Sequence, residues 1–157
     1  MPLPIYVKFD GIDGSCQVQG RENTVQVLAL DHLVHIPVDV KDASATGARQ
    51  HGAMTMTANV DKAFPNLMKS CCTSQAIKTV TADFYQIDDQ GQQKKYFTIK
   101  LENARVTDIK TWIPNVDDAA TSTYKHMADY GLRYEKITWT IHDGNIEFSD
   151  EWKKPAS

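Results

Sequence analysis

Apolar and polar residues alternate with a period of two along much of this chain, and that alternation constrains the fold more than any other feature. The clearest example is segment 97–102, in which Phe, Ile and Leu alternate with Thr, Lys and Glu. A period of two places alternate side chains on opposite faces of a β-strand. Segments 54–60 and 79–85 show the same pattern. The chain is therefore predicted to be mainly β.

Three further strand features follow from the same pattern. The segment Thr24–Val34 carries apolar residues on both faces, which predicts a strand covered on both sides, with the second cover supplied by another subunit. The face of the strand that begins at Phe97 changes near Asp108, which predicts a bulge there. The segment Leu132–Ile141 is predicted to form one strand, followed by a hairpin turn at Asp143-Gly144.

One helix interrupts the strands. Asp61 is the predicted N-cap, and Pro65 lies in the first turn. Apolar residues then recur at helical spacing up to Cys71, and Thr73-Ser74 ends the pattern. By contrast, residues 35–52 show no periodicity, so this stretch is predicted to be an unstructured loop, which at this length is usually functional.

These elements predict a fold. About eight strands and one helix indicate a small antiparallel β-barrel or sandwich with the helix at one end. A chain of 157 residues suits one domain, spanning 1–157.

Composition excludes several classes of protein. The net charge is −3, whereas a nucleic-acid-binding protein needs a basic face. No apolar run approaches the roughly 20 residues of a membrane-spanning helix, so no membrane insertion is expected. The three cysteines include an adjacent pair, which favours folding in a reducing cytosol. The first residues contain no basic stretch followed by an apolar run, so no conventional signal peptide is expected.

The residues that could carry chemistry do not form a recognisable site. His32 and His35 would point to opposite faces of a strand, which disfavours a metal site. The acidic turns at 10–14 and 88–91 lack the spacing of a calcium loop. Ser70 or Ser149 could form a triad only by arbitrary choice of partners, because no nucleophile-elbow motif is present. No catalytic residue, metal or cofactor is predicted.

Two segments resemble a known family. Residues 60–68, VDKAFPNLM, resemble the entry to the single helix of the haemolysin-coregulated proteins (Hcp), the inner-tube subunits of type VI secretion systems. Residues 132–146, which contain LRYEKITWT and DGNI, resemble the C-terminal strands of that family. Phe64 departs from the pattern, since the family commonly has Ser or Thr before the proline.

This resemblance implies a β-barrel that assembles into a hexameric ring. Rings would stack into a tube that a contractile sheath expels together with spike proteins, and the ring would carry and protect secreted effectors. The protein would reside in the cytoplasm before firing and would leave the cell without a signal peptide. The family's long loop between its second and third strands reaches neighbouring subunits, and the corresponding segment here is about 37–52.

Candidate contact residues follow from this comparison. The ring or stacking contacts are predicted to be Val38, Asp39, Thr46, Gly47, Arg49 and His51. Asp31 and Thr57 are predicted to face the lumen, because each lies on a strand that could line it. Two alternatives remain open from the residues themselves: a monomeric β-barrel that binds a small ligand, and a hydrolase that uses a serine–histidine pair.

Overall fold

A computed structural model describes residues 3–151, and residues 1, 2 and 152–157 lie outside that part of the chain. Ten strands and one helix occupy the described residues. They are β1 (Ile5–Phe9), β2 (Val25–Asp31), β3 (Val34–His35), β4 (Gln50–His51), β5 (Met54–Asn59), α1 (Phe64–Cys72), β6 (Ile77–Ile87), β7 (Gln93–Trp112), β8 (Met127–Arg133), β9 (Lys136–Ile141) and β10 (Ile146–Glu151).

Eight of these strands form one antiparallel sheet that closes on itself. The strand order is β10-β9-β7-β6-β1-β2-β5-β8, and β8 also pairs with the C-terminal half of β7. The 20-residue β7 makes this closure possible, because its first half pairs with β6 and β9 and its second half pairs with β8. Strands β7, β6, β1, β2, β5 and β8 thus form a six-stranded barrel, so of the barrel and the sandwich that the alternation left open the chain adopts the barrel.

The barrel interior is filled by apolar side chains from every barrel strand. Phe9, Met56, Leu101 and Leu132 are among the largest fully buried residues of the described chain. Each such side chain contributes roughly 1.5–3 kcal/mol when it leaves water. The barrel is therefore a packed core, and its functional surfaces lie outside it.

Helix α1 packs against β7 and supplies Leu67 to this core. It begins at Phe64 with Ala63 at the N-cap position, so the prediction of Asp61 as the N-cap is wrong by two residues. Asp61 nevertheless stabilises the approach to the helix, because its carboxylate accepts the backbone N–H groups of Ala63 and Ser15 at 3.0 and 3.2 Å. Thr73 ends the helix at the predicted place.

The C-terminal strands confirm one prediction and contradict another. The bulge predicted near Asp108 is confirmed, since the β7–β8 register shifts between Val106 and Asp108. The single strand predicted for Leu132–Ile141 is wrong, because β8 ends at Arg133 and β9 begins at Lys136. The change in buried face explains this: Leu132 and Tyr134 are buried at even positions, and Ile137 is buried at an odd position.

Strand β2 is also shorter than the predicted segment Thr24–Val34. A bulge between Val27 and Ala29 moves Leu30 onto the face that packs against the core and leaves Leu28 exposed. The face predicted for Leu30 is therefore wrong, because a bulge shifts by one position the residues that face inward. Leu28 remains an exposed apolar residue of this strand, and its cover by another subunit stays a prediction.

Candidate subunit interface

Residues 33–52, here called the arm, form a hairpin that stands apart from the barrel sheet. Strands β3 and β4 pair Val34 with His51 and make a separate two-stranded sheet. Farther out, Val38 pairs with Ala45, and the backbone N–H of Asp39 donates to the carbonyl of Ser44 at 2.8 Å. The prediction of an unstructured loop is therefore wrong. Hydrogen bonds between the backbones of its two sides hold the segment as a hairpin, and such bonds need no periodicity of apolar side chains.

The arm exposes apolar side chains to solvent. Leu33, Ile36 and Val38 are exposed, and Val40 near the tip is 97% exposed. Large contiguous apolar surface is unusual on a monomeric protein and marks a contact with a partner. The arm thus has the composition of a surface that becomes buried on association.

The base of the arm is joined to the barrel by a group of polar side chains, here called the anchor cluster, which comprises His32, Arg49, His51, Tyr134 and Asp150. Arg49 Nε donates to Asp150 Oδ2 at 2.6 Å, and His51 Nε2 lies 2.7 Å from the same oxygen. The Tyr134 hydroxyl lies 2.6 Å from His51 Nδ1 and 2.8 Å from His32 Nε2. These contacts link the arm to β10 and to the segment between β8 and β9.

The anchor cluster changes the acidity of its members. The Arg49 guanidinium, and then His51, hold the pKa of the Asp150 carboxyl below its usual range, although partial burial opposes this shift. Burial lowers the pKa of His32, and the neighbouring His51 lowers it further. At neutral pH the cluster therefore contains a charged Arg49–Asp150 pair beside a neutral His32.

A second exposed surface lies on the β9–β10 hairpin, which extends beyond the closed barrel. Strand β10 pairs with β9, and within residues 3–151 no strand pairs with its other edge. Ile146 and Phe148 are exposed, and Phe148 stacks on Trp139 with ring centroids 6.0 Å apart. An open edge with apolar side chains readily pairs with another chain.

The structure places the predicted contact residues in two environments. Val38, Asp39, Thr46 and Gly47 lie in the outer part of the arm. Arg49 and His51 lie at its base, where their side chains point back to Asp150.

Sequence reasoning missed Tyr134 and Asp150. They lie 83 and 99 positions from His51, and no local pattern indicates that these residues meet.

The two predicted lumen residues lie on the outer face of adjacent strands. Asp31 on β2 pairs with Thr55 on β5 and is exposed. The Thr57 hydroxyl donates to Asp129 Oδ1 on β8 at 2.7 Å. The outer surface of β2, β5 and β8 thus carries the polar side chains of Asp31, Thr57 and Asp129, with Leu28 of β2 also exposed.

The hydroxyl groups considered for catalysis are engaged elsewhere. The Ser70 hydroxyl donates to the carbonyl of Gln75 at 2.7 Å, and the Ser149 hydroxyl lies 2.8 Å from that of Thr138. Neither contact has the geometry of a nucleophile paired with a histidine base.

No group of three or more His, Cys, Asp or Glu side chains among residues 3–151 is arranged to hold a metal ion. No helix in this range combines the length and hydropathy needed to cross a bilayer.

Comparison with known proteins identifies the family. The family model described as "Type VI secretion system effector, Hcp" matches residues 6–141. This chain belongs to the Hcp family. The resemblance predicted from residues 60–68 and 132–146 is thereby confirmed.

Individual relatives agree with this assignment. The "Major exported protein" of Pseudomonas aeruginosa is 32% identical over 144 residues, which is 92% of this chain and 84% of that protein. A doubly substituted Hcp1 protein from the E. coli EAEC 042 pathovar is 37% identical, with a TM-score of 0.83 over 97% of this chain and 99% of that one. The secreted protein Hcp3 of P. aeruginosa is 26% identical, with a TM-score of 0.73 over 96% of this chain and 99% of that one.

Membership places the protein in type VI secretion. The Hcp family comprises secreted structural proteins and is not a family of enzymes. The arm, the open edge of β10 and the polar outer face are therefore considered below as surfaces for association.

Proposed function

We propose that this Hcp protein is a subunit of the type VI inner tube. Six copies would close into a ring, rings would stack, and the contractile sheath would expel the tube together with the spike. A head-to-tail contact joins two different surfaces of neighbouring copies, and it generates a ring when the rotation from copy to copy closes. The chain offers two different exposed surfaces for such a contact, the arm and the open edge of β10.

The observation that carries this proposal is the exposure of apolar side chains along the arm. The arm holds its own hairpin structure while Val40 stays 97% exposed, so the folded chain alone leaves this side chain in water. A neighbouring copy would bury it. Val38, Asp39, Thr46 and Gly47 then form the ring or stacking contacts, and Arg49 and His51 contribute from the base of the arm.

The polar outer face of β2, β5 and β8 supports the second part of the proposal. If the ring closes with this face inward, Asp31 and Thr57 line a wide aqueous lumen that carries effectors. Hydroxyl and carboxylate groups keep such a wall hydrated and prevent adhesion of apolar surfaces. The protein would remain in the cytoplasm until firing and would need no signal peptide.

The test is the mass of the purified protein by light scattering, together with negative-stain images. The wild-type chain should have a mass close to six copies of 17.6 kDa and should form six-fold rings. Val40→Asp should abolish rings, because the interface would have to bury an unpaired charge. Val116→Asp, an exposed valine outside the arm, is the matched control and should leave rings intact.

Deletion of residues 38–50 provides a second test. It should leave the barrel folded, because the arm is a separate sheet, and it should block ring formation or stacking. In cells, export of the wild-type protein should cease when the sheath is absent. A chain that stays monomeric at high concentration and is exported without a sheath would refute the proposal and favour a monomeric β-barrel that binds a ligand.

A further inference from the structure

The arm is joined to the barrel by side chains at its base. Strands β3 and β4 pair with each other and form no ladder with the barrel sheet in the described part of the chain. A two-stranded hairpin is only marginally stable in water by itself. The arm also connects β2 and β5, which pair at Asp31 and Thr55, so the backbone fixes its root. The contacts made by Arg49 and His51 add the side-chain bonds that hold the arm against β10 and Tyr134.

The hydrogen bonds of the anchor cluster have one consistent direction when His51 is neutral. The Asp150 carboxylate can only accept, so His51 Nε2 carries the hydrogen of the 2.7 Å contact. His51 Nδ1 is then an acceptor, and the Tyr134 hydroxyl donates to it. The Tyr134 oxygen in turn accepts from His32 Nε2. Each donor in this series of hydrogen bonds thus has its own acceptor.

The two central residues of this hydrogen-bonded series, Tyr134 and His51, are shielded from solvent. The Tyr134 residue is 5% exposed, and the His51 side chain is also 5% exposed. Arg49 adds a second contact to β10, because one of its terminal nitrogens donates to the carbonyl of Glu151 at 2.8 Å. Arg133 also donates to the carbonyl of His51 at 3.3 Å. These bonds tie the arm to two different parts of the chain.

We propose that Tyr134 and Asp150 are positioning residues for ring assembly: they fix the angle of the arm through His51 and Arg49, and neither residue needs to touch the neighbouring copy. This inference rests on the proposed function. An arm that is already held in its bound direction loses less conformational freedom on association, so the same contacts give a tighter ring. Loosening the anchor should therefore weaken assembly without changing the contact surface.

The test compares two variants that each lose a hydroxyl making two hydrogen bonds. Tyr134→Phe removes the hydroxyl between His32 and His51. Thr98→Val is the matched control, because the Thr98 hydroxyl lies between Asp83 and His142 at 2.8 and 2.7 Å, away from the arm. Both variants should lower overall stability, so only an effect specific to Tyr134→Phe reports on the arm.

Two measurements are needed. Ring dissociation is followed by light scattering on dilution, and Tyr134→Phe should raise the dissociation concentration about tenfold or more, the size expected for a lost hydrogen bond. Hydrogen exchange of the arm amides, such as those of Asp39, Thr46 and Gly52, is measured in a Val40→Asp background that keeps the chain monomeric. In that background, Tyr134→Phe should accelerate the exchange of the arm amides about tenfold. Thr98→Val should change neither this exchange nor the concentration at which rings dissociate.

The outcomes separate this inference from the function on which it rests. If Tyr134→Phe frees the arm and the rings keep their stability, the angle of the arm does not matter and the inference is overturned. If the rings weaken while exchange in the arm is unchanged, Tyr134 acts by another route and the inference also fails. If the wild-type chain forms no rings, the proposed function itself fails. Asp150→Asn, which removes the charge but keeps the shape, should reproduce both effects of Tyr134→Phe.

Discussion

Two buried tyrosines on neighbouring parts of the chain should respond in opposite directions to the same substitution. Tyr130 is 1% exposed and Tyr134 is 5% exposed, and burial raises the pKa of both hydroxyls. The Tyr130 hydroxyl has no hydrogen-bond partner among the described residues, whereas the Tyr134 hydroxyl contacts two histidines. We predict that Tyr130→Phe stabilises the fold and that Tyr134→Phe destabilises it.

The magnitudes follow from the partners of each hydroxyl. An unpaired buried hydroxyl costs about 1–3 kcal/mol. Its removal leaves a gap of about 10 Å³, which costs only about 0.2 kcal/mol. Tyr130→Phe should therefore raise the free energy of unfolding by about 1 kcal/mol and Tm by about 2–4 °C. Tyr134→Phe removes two hydrogen bonds worth about 1 kcal/mol each, so Tm should fall by about 4–8 °C.

The assay is urea unfolding and thermal unfolding of both variants in the Val40→Asp background. A monomeric background is required because ring formation would make the apparent stability depend on protein concentration. The reasoning is refuted if Tyr130→Phe lowers stability as much as Tyr134→Phe does. That result would mean that the Tyr130 hydroxyl has a hydrogen bond of its own.

Three further predictions concern the barrel and its pH dependence. Leu67→Ala should lower the free energy of unfolding by about 2–5 kcal/mol in the same urea assay, because this fully buried side chain anchors α1; a loss below 1 kcal/mol would contradict the packing of the helix. In the Val40→Asp background, Gly14→Ala should strongly reduce Tm, since its Cβ would overlap the carbonyl oxygen of Thr24. Gly47→Ala, whose Cβ would lie 3.6 Å from Pro37, should be tolerated in the same background, and equal Tm values would exclude the clash at Gly14. The folded state lowers the pKa of His32, so the unfolded chain binds more protons and stability should fall as pH drops from the ordinary value of 6.5 towards the lowered pKa. Urea midpoints should show this loss in the wild type and a smaller loss in His32→Gln, and identical pH profiles would rule out the role of His32.

The alternation in the sequence was sufficient to predict a mainly β fold, a barrel or a sandwich, and the family resemblance pointed to the barrel. Strand β5 buries alternate residues, Met54, Met56 and Ala58, and the change of face near Asp108 predicted a bulge that is present. The same reasoning, applied to Val27 and Leu30, would have predicted the bulge in β2, because these two apolar residues lie three positions apart. The break between β8 and β9 is also visible in the sequence, because the buried apolar positions change from even numbers at Leu132 to odd numbers at Ile137.

The arm and the anchor cluster were harder to predict for physical reasons. The arm has no buried face, so hydrophobic periodicity carries no information about its hairpin. The anchor cluster joins residues from four separate parts of the chain, and Asp150 lies close to His51 because β10 pairs with β9, which pairs with the barrel strand β7. The family resemblance located the segment, and the structure was needed to separate its contact-forming outer part from its anchored base.

The independence of the arm from the barrel ladder also affects how the protein can change over evolution. The outer turn between Asp39 and Ser44 contains neither barrel backbone pairing nor core side chains. Insertions and substitutions there leave the energetics of the barrel untouched, as at other exposed loop tips. Paralogous copies in one cell could therefore acquire separate assembly preferences by altering this short turn alone, while a shared scaffold continues to fold in the same way.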